Sequence, residues 1–544
     1  MITMQVVNRI NEKILRNCIF IGFCLLFIRL AFFHLQVINH HFPLTAPESQ
    51  PLLNTYLILN GGNPYDLANQ PEFTNVYGIL YPFIVSLIAK IFGINLLVHR
   101  GVSSFFIFAS CGIVFLVTRW RKSPLLLSFI ATLIFYSHLI LASNFIAKPD
   151  SLGLFLFLCS IVIPWRYNYS SLSLIISIGL GILAFMAKPY FVLSIFYMAT
   201  YIFVFKSKKK GIKYGFLSVF LFLISLFLLN HFFECYLSNI FFIHINILEF
   251  TEFGFYYAFE QIYTYIKNNL GIILLLFSLI YLFIKNLYNS IYRINLLDFK
   301  KHIRNFLKNI SDLNKPVFER DLDLFTFCLM LSLIVFSLKM GKHAGNWLVY
   351  IYHLISPFLI IVVFNFARKF TGRALLFILL IIFLNLFFTY PQEIINNRKI
   401  ETYKEWKNIS DLVSQHQNIL NSPVIASLLI EQGKKVYDSG ESEYFLLGAE
   451  RKIFSISFTD RKIEKRNQQF LQEISASVKE KKYDLIILTK DHLPVGYNRF
   501  IYKNLSLINK CYEYQGTLPA PMLTQTTELN IWKPKQISCD KISN

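Results

Sequence analysis

NCIFIGFCLLFIRLAFFHLQVI, residues 17–38, decides the fold class. A helix crosses the hydrocarbon core of a bilayer with roughly 20 apolar residues, and this run reaches that length. Arg29 is its one interior charge and reads as snorkelling or paired within a helix bundle. Arg9, Lys13 and Arg16 precede the run, and no small-residue cleavage site follows it. That pattern predicts a retained anchor rather than a signal peptide.

Similar runs recur along the chain, at 95–118, 124–143, 151–165, 171–187, 189–205, 214–232, 269–286, 322–339, 346–364 and 374–390. Composition agrees with a polytopic membrane protein. The 544 residues are 55% hydrophobic and only 16% charged, and 56 are Phe. The mean hydropathy is +0.48. A soluble chain of this size carries more charge. The formal net charge of +21 sits in short Lys/Arg runs between apolar segments. Such runs set membrane topology, and their distribution argues against a nucleic-acid partner.

With the N-terminus cytoplasmic, the inside loops hold Arg119 to Lys122, Arg166, Lys206 to Lys210, the basic stretch 285–321, and Arg368, Lys369 and Arg373. Every strong basic cluster between spans then falls on one side, as the positive-inside rule requires. Residues 391–544 fall on the other side. Residues 79–93 contain Pro82 and Lys90 and are short, so they predict an interfacial or re-entrant helix.

The last 150 or so residues change character. Residues 400–420 read as an amphipathic helix, Val424–Ile430 and Asp484–Thr489 as buried strands, and Arg461–Lys482 as a charged helix. The expected architecture is a mainly α, polytopic bundle over 1–390, with an outer loop at 39–78 and a small non-cytoplasmic α/β domain at 391–544. Cys511 and Cys539 lie in that domain and can pair in an oxidising compartment.

Ionisable residues at membrane boundaries are costly and therefore informative. The first outer loop carries Glu48, Asp66 and Glu72, and its turn Gly61-Gly62-Asn63-Pro64-Tyr65 leads towards Tyr77-Gly78-Ile79-Leu80-Tyr81-Pro82. The next outer turns are Ala147-Lys148-Pro149-Asp150 and Lys188-Pro189, followed later by Lys339 to Asn346 with Lys342 and His343. Each has an ordinary reading: solvated acids, snorkelling pairs, interfacial anchors. Together they place cations from three loops on one face, which suits a phosphate-bearing head group. Walker, lipase-elbow and zinc-protease motifs are absent from the sequence.

This layout resembles the GT-C superfamily of membrane glycosyltransferases, of the protein mannosyltransferase and aminoarabinose transferase type. The resemblance rests on the Gly61–Tyr65 turn, the Tyr77–Pro82 segment, Lys148-Pro149-Asp150, Lys188 and, loosely, His343-Ala344-Gly345-Asn346. Ile79 stands where the family commonly has Pro. It implies transfer of a sugar from a polyprenyl-phosphate donor to a glycan, lipid or protein acceptor outside the cytoplasm, in the inner membrane of a bacterial cell. Glu48 takes the place of the family's loop acid and is the expected general base, with Asp150 orienting Lys148 or the acceptor. Lys148, Lys188, Lys342, His343, Asn346, Tyr65, Tyr77 and Tyr81 are the expected substrate-binding residues. Some members use a divalent metal ion, but no ligand cluster in this sequence demands one. A transporter, flippase or polymerase for lipid-linked glycans is the alternative reading. Internal repeats and mid-span charges would favour transport, and neither pattern is prominent here.

Overall fold

The computed structural model describes residues 2–142, 146–242, 254–274, 276–277, 322–342, 348–368, 372–389, 401–438, 458–490, 504–522, 526–536 and 539. The helices of the first half are α1 (Ile2–Ile38), α2 (Ser49–Leu59), α3 (Leu80–Phe92), α4 (Leu96–Trp120), α5 (Leu125–Leu141), α6 (Asp150–Arg166), α7 (Ser171–Ala187), α8 (Leu193–Tyr201) and α9 (Lys208–Phe232). They are followed by α10 (Phe255–Asn268), α11 (Leu324–Leu338), α12 (Ser356–Ala367) and α13 (Gly372–Thr389). Over their described residues the expected spans coincide largely with helix, and most of 269–286 lies outside the described set.

Among the described residues, four helical stretches are long and apolar enough to cross a bilayer: Ile14–Ile38, Leu96–Trp120, Pro189–Lys206 and Lys208–Phe232. Shorter apolar helices surround them, among them Leu125–Leu141, Ser171–Ala187 and Ile351–Ala367. The outward faces decide the solvent. In α9 only 17% of the most apolar window is buried, and Phe216 and Phe227 are 75% and 72% exposed. A continuous apolar surface of this kind is untenable in water and natural in lipid. The chain is a multi-pass, mainly α membrane protein. Packing centres on α4, α5, α6 and α12, where Ile134, Phe135, Phe157, Phe358 and Phe364 are fully buried.

The expected interfacial helix is α3. Tyr81, Val85 and Ala89 face the core, while Phe83, Leu87 and Ile91 face out, so one side is apolar-exposed at helical spacing. At 13 residues it reaches about 20 Å, short of a bilayer. Basic residues gather at one end of the bundle. Arg121 pairs with Asp323 at 3.0 Å, Arg368 donates to the Arg121 carbonyl, and Arg166 lies over the Trp120 ring.

The C-terminal segment holds α14 (Glu401–Ser414), β1 (Ile419–Leu420), α15 (Ala426–Glu431), α16 (Phe458–Lys479), β2 (Leu485–Thr489), α17 (Leu505–Cys511), β3 (Tyr512–Pro521) and β4 (Thr526–Pro534). The sheet order is β1-β2-β4-β3, with β1 parallel to β2 and the other pairs antiparallel. One expectation is corrected: 424–430 is not a strand. Pro423 opens a short turn whose Ser422 side chain accepts from the Val424 amide, and α15 follows. A short, fully buried apolar run has no period that separates strand from helix. Cys511 and Cys539 form a disulfide, with Cα atoms 4.9 Å apart.

The loop expected at 39–78 is not a free surface loop. Phe42, Leu52 and Leu53 share one apolar cluster with Trp406, Ile409, Val424 and Leu429 of the C-terminal segment. Phe42 stacks on Trp406, ring planes 11° apart. Ser49 donates to the Pro423 carbonyl at 3.0 Å, and Arg466 donates to the Gln70 carbonyl at 2.9 Å.

Candidate functional site

Three segments far apart in sequence converge at the end of the bundle opposite the basic clusters. They are the turn before α6, the turn after α7 and the end of the first outer loop. Two glycines permit the approach. A Cβ at Gly78 would collide with the Met186 carbonyl, and the Gly78 amide donates to the Ala187 carbonyl at 3.3 Å. A Cβ at Gly153, one turn into α6, would collide with the Phe191 ring. Any side chain at either position would push the segments apart.

At their meeting point Lys188 Nζ lies 2.7 Å from Asp150 Oδ1. The ammonium also sits over two rings, Tyr77 at 5.0 Å and Tyr190 at 5.6 Å. Both rings attract a cation through their π faces. Asp150 occupies the first turn of α6, where the helix end favours a negative charge. His353 Nδ1 is 3.8 Å from Asp150 Oδ1, and the Lys148 charge acts on the same carboxylate. Asp150 is 3% exposed, yet its Oδ2 accepts no hydrogen bond from any described residue. Buried acceptors are normally satisfied by protein or by ordered water, so this oxygen has room for a further partner.

The turn itself is held from the other side. Tyr81 OH donates to the His99 carbonyl at 3.0 Å and meets Ser103 Oγ at 2.9 Å, and Ser103 in turn donates to the Lys148 carbonyl at 3.3 Å. Tyr65 is buried behind Tyr77. Its hydroxyl donates to the Tyr77 carbonyl at 2.5 Å and accepts from Asn75 at 2.9 Å.

Glu48, the expected general base, lies in an enclosed environment. It is fully buried in a two-pronged pair with Arg100: Nε to Oε1 at 2.8 Å and Nη2 to Oε2 at 2.7 Å. The Leu44 amide donates to Oε2 at 2.7 Å and the Ala147 amide to Oε1 at 3.1 Å. Arg100 also donates to the Phe42 carbonyl at 2.9 Å. Burial works to raise the Glu48 carboxyl, but the Arg100 charge, its hydrogen bonds and the two amides outweigh it and hold the group below the ordinary carboxylate range. Through Ala147 this carboxylate anchors the turn that carries Lys148 and Asp150.

The other loop acids are also placed. Asp66 accepts from Asn63 at 2.7 Å, and its carboxyl is raised by partial burial and then by Glu234. Glu72 pairs with Arg466 at 3.3 Å, but burial dominates and raises its carboxyl. Lys342 lies over the Phe255 ring at 3.8 Å. His343 and Asn346 lie outside the described residues. Among the described residues no group of three or more His, Cys, Asp or Glu side chains is placed to hold a metal ion, so no step is derived through one.

Sequence reasoning missed Arg100, Tyr190 and His353. Arg100 carried a signal, as a charge just inside a span. Tyr190 and His353 carried none, because aromatic residues are common throughout the chain.

No protein-family profile matches the chain, and no curated protein sequence does. Solved structures of ArnT are among those similar to it. The first is ArnT from Cupriavidus metallidurans bound to undecaprenyl phosphate, with a TM-score of 0.49 at 8% identity over 94% of this chain and 98% of that one. The second is ArnT from the same organism in the apo state, with a TM-score of 0.47 at 9% identity over the same shares.

Proposed function

We propose that this protein transfers a sugar from a polyprenyl-phosphate donor to an acceptor on the non-cytoplasmic side of the membrane. The observation that carries the reading is the buried Lys188–Asp150 pair at the outer end of α6, with Lys148 beside it and one carboxylate oxygen unbonded. A lipid phosphate needs cations at the membrane boundary, and an attacking hydroxyl or amine needs a base. The sidedness rests on the basic clusters at the opposite end and on the disulfide, which belongs to an oxidising compartment.

The acceptor's lone pair forms the new bond to the anomeric carbon. The bond from that carbon to the phosphate oxygen breaks, and the phosphate leaves with the electron pair. Lys188 and Lys148 balance its charge. The proton lost by the acceptor goes to Asp150 Oδ2. Glu48, with every acceptor position taken, serves as the anchor of the turn and not as the base.

The test uses the full-length protein in lipid nanodiscs with undecaprenyl phosphate carrying a radiolabelled pentose or hexose. Release of label from the lipid is expected, to water or to an added envelope extract. Lys188→Ala is expected to weaken binding of undecaprenyl phosphate by about tenfold or more, the loss of one charged hydrogen bond. Unaltered affinity in that variant, together with no label release, sinks the reading.

A further inference from the structure

Behind the Lys188–Asp150 pair stand two residues outside the sequence motifs. Tyr190 lies in the short turn Pro189–Val192 that directly follows Lys188. His353 lies in a wide, π-type turn, Ile351–Ile355, just before α12. Such turns redirect side chains and recur at functional sites. His353 is fully buried, and its Nδ1 is 2.6 Å from the Tyr190 hydroxyl. The two rings lie nearly parallel, 10° apart. Tyr350 packs edge-on against Tyr190 at 4.9 Å and Phe191 packs against His353 at 5.8 Å. The phenol is thus held at its hydroxyl and on its faces, while the same ring carries the Lys188 ammonium.

Lys188 is a flexible side chain with three rotatable donors. One carboxylate fixes its distance but not its direction. The second constraint is the ring pair Tyr77 and Tyr190. Tyr77 is set by the backbone, through Gly78 on Ala187. Tyr190 is set by His353. At 3.8 Å from Asp150 Oδ1, His353 Nδ1 is beyond hydrogen-bond length from the carboxylate, whereas the Tyr190 phenol at 2.6 Å is within it.

We propose that His353 and Tyr190 form a positioning arm that directs the Lys188 ammonium towards an incoming lipid phosphate. The proposal rests on the glycosyl-transfer reading and adds to it two residues that touch no reacting atom. Removing the bond between them frees the ring, and the ammonium then samples directions that do not face the phosphate.

The test measures binding of radiolabelled undecaprenyl phosphate to the full-length protein in nanodiscs. Tyr190→Phe and His353→Ala are each expected to weaken binding by about tenfold, as for one orienting hydrogen bond. The double variant is expected to be no weaker than either single one, because both remove the same bond. His353→Asn, whose amide reaches the place of Nδ1, is expected to retain binding within about threefold. Tyr190→Phe opens no cavity, so it reads the arm even where His353→Ala fails to fold. Wild-type affinity in Tyr190→Phe, while Lys188→Ala loses binding, overturns the arm and leaves the functional reading intact. Additive losses in the double variant overturn it as well, since two independent contacts would then be at work. Wild-type affinity in Lys188→Ala overturns the arm, and it brings down the functional reading as well only when the wild type also releases no label from the lipid-linked sugar.

Discussion

Two acid–base pairs of this protein are each closed at 2.7 Å, and their carboxylates are bonded in different ways. Glu48 and Arg100 are both fully buried, and the carboxylate accepts four hydrogen bonds. Asp150 and Lys188 are slightly more open, at 5% and 12% side-chain exposure, and one carboxylate oxygen accepts none from the described residues. Distance and charge are the same. What differs is how completely the lone pairs are used. A saturated carboxylate is an anchor, because every change to it breaks several bonds. An unsaturated one has somewhere to put a proton. The two are mechanically linked, since Ala147 donates to Glu48 only three residues before Asp150.

The largest expected effect separates them by activity. Asp150→Asn keeps the shape and removes the basicity, so turnover of a lipid-linked sugar should fall by about 10²–10⁴-fold. Donor binding should survive, because Lys188 remains. If Asp150→Asn turns over normally, the contrast between anchor and base collapses.

Next comes stability. Glu48→Gln leaves Arg100 buried without its counter-charge, at a cost of about 3–5 kcal/mol, read as a lower melting temperature in nanodiscs. The same pair has a pH signature. The Glu48 carboxyl is held below its ordinary value of 4.5, so its stabilisation is complete above that pH. It is lost as the pH falls through the lower, folded-state value. Melting temperature should therefore drop on acidification in the wild type and more shallowly in Glu48→Gln. Equal stability of Glu48→Gln and wild type would mean that the pair anchors nothing.

The smallest effect is a control. Lys462 and Glu234 pair at 3.6 Å with 51% and 45% of their side chains exposed. Water screens such a pair, so Lys462→Ala should change stability by about 0.5 kcal/mol or less. A larger loss there would show that charge pairing alone, without burial, matters in this protein.

Much of this architecture was legible from one sequence. Helical spans are set by local composition, because a bilayer demands a long apolar run with its backbone bonds closed internally. Residues 17–38, 171–187 and 324–338 are helical for that reason, and the clustering of Lys and Arg set them in order. The turns at 147–150 and 188–189 stood out too, since charge is scarce between apolar helices. The strand expected at 424–430 failed because a buried helix and a buried strand are equally apolar. The hairpin β3–β4 was not foreseen, since its exposed residues interrupt the apolar period.

The difference in bonding between Glu48 and Asp150 could not be read in the same way. Both are acids in outer segments beside apolar helices. Which one is saturated depends on Arg100, which lies 52 residues beyond Glu48, and on backbone amides at Leu44 and Ala147. Which one is left open depends on Gly78 and Gly153 letting three segments close to contact. Composition and hydropathy act residue by residue along the chain and so mark spans and candidate charges. Lone-pair saturation is a property of neighbours in space, and chain folding alone brings those neighbours together.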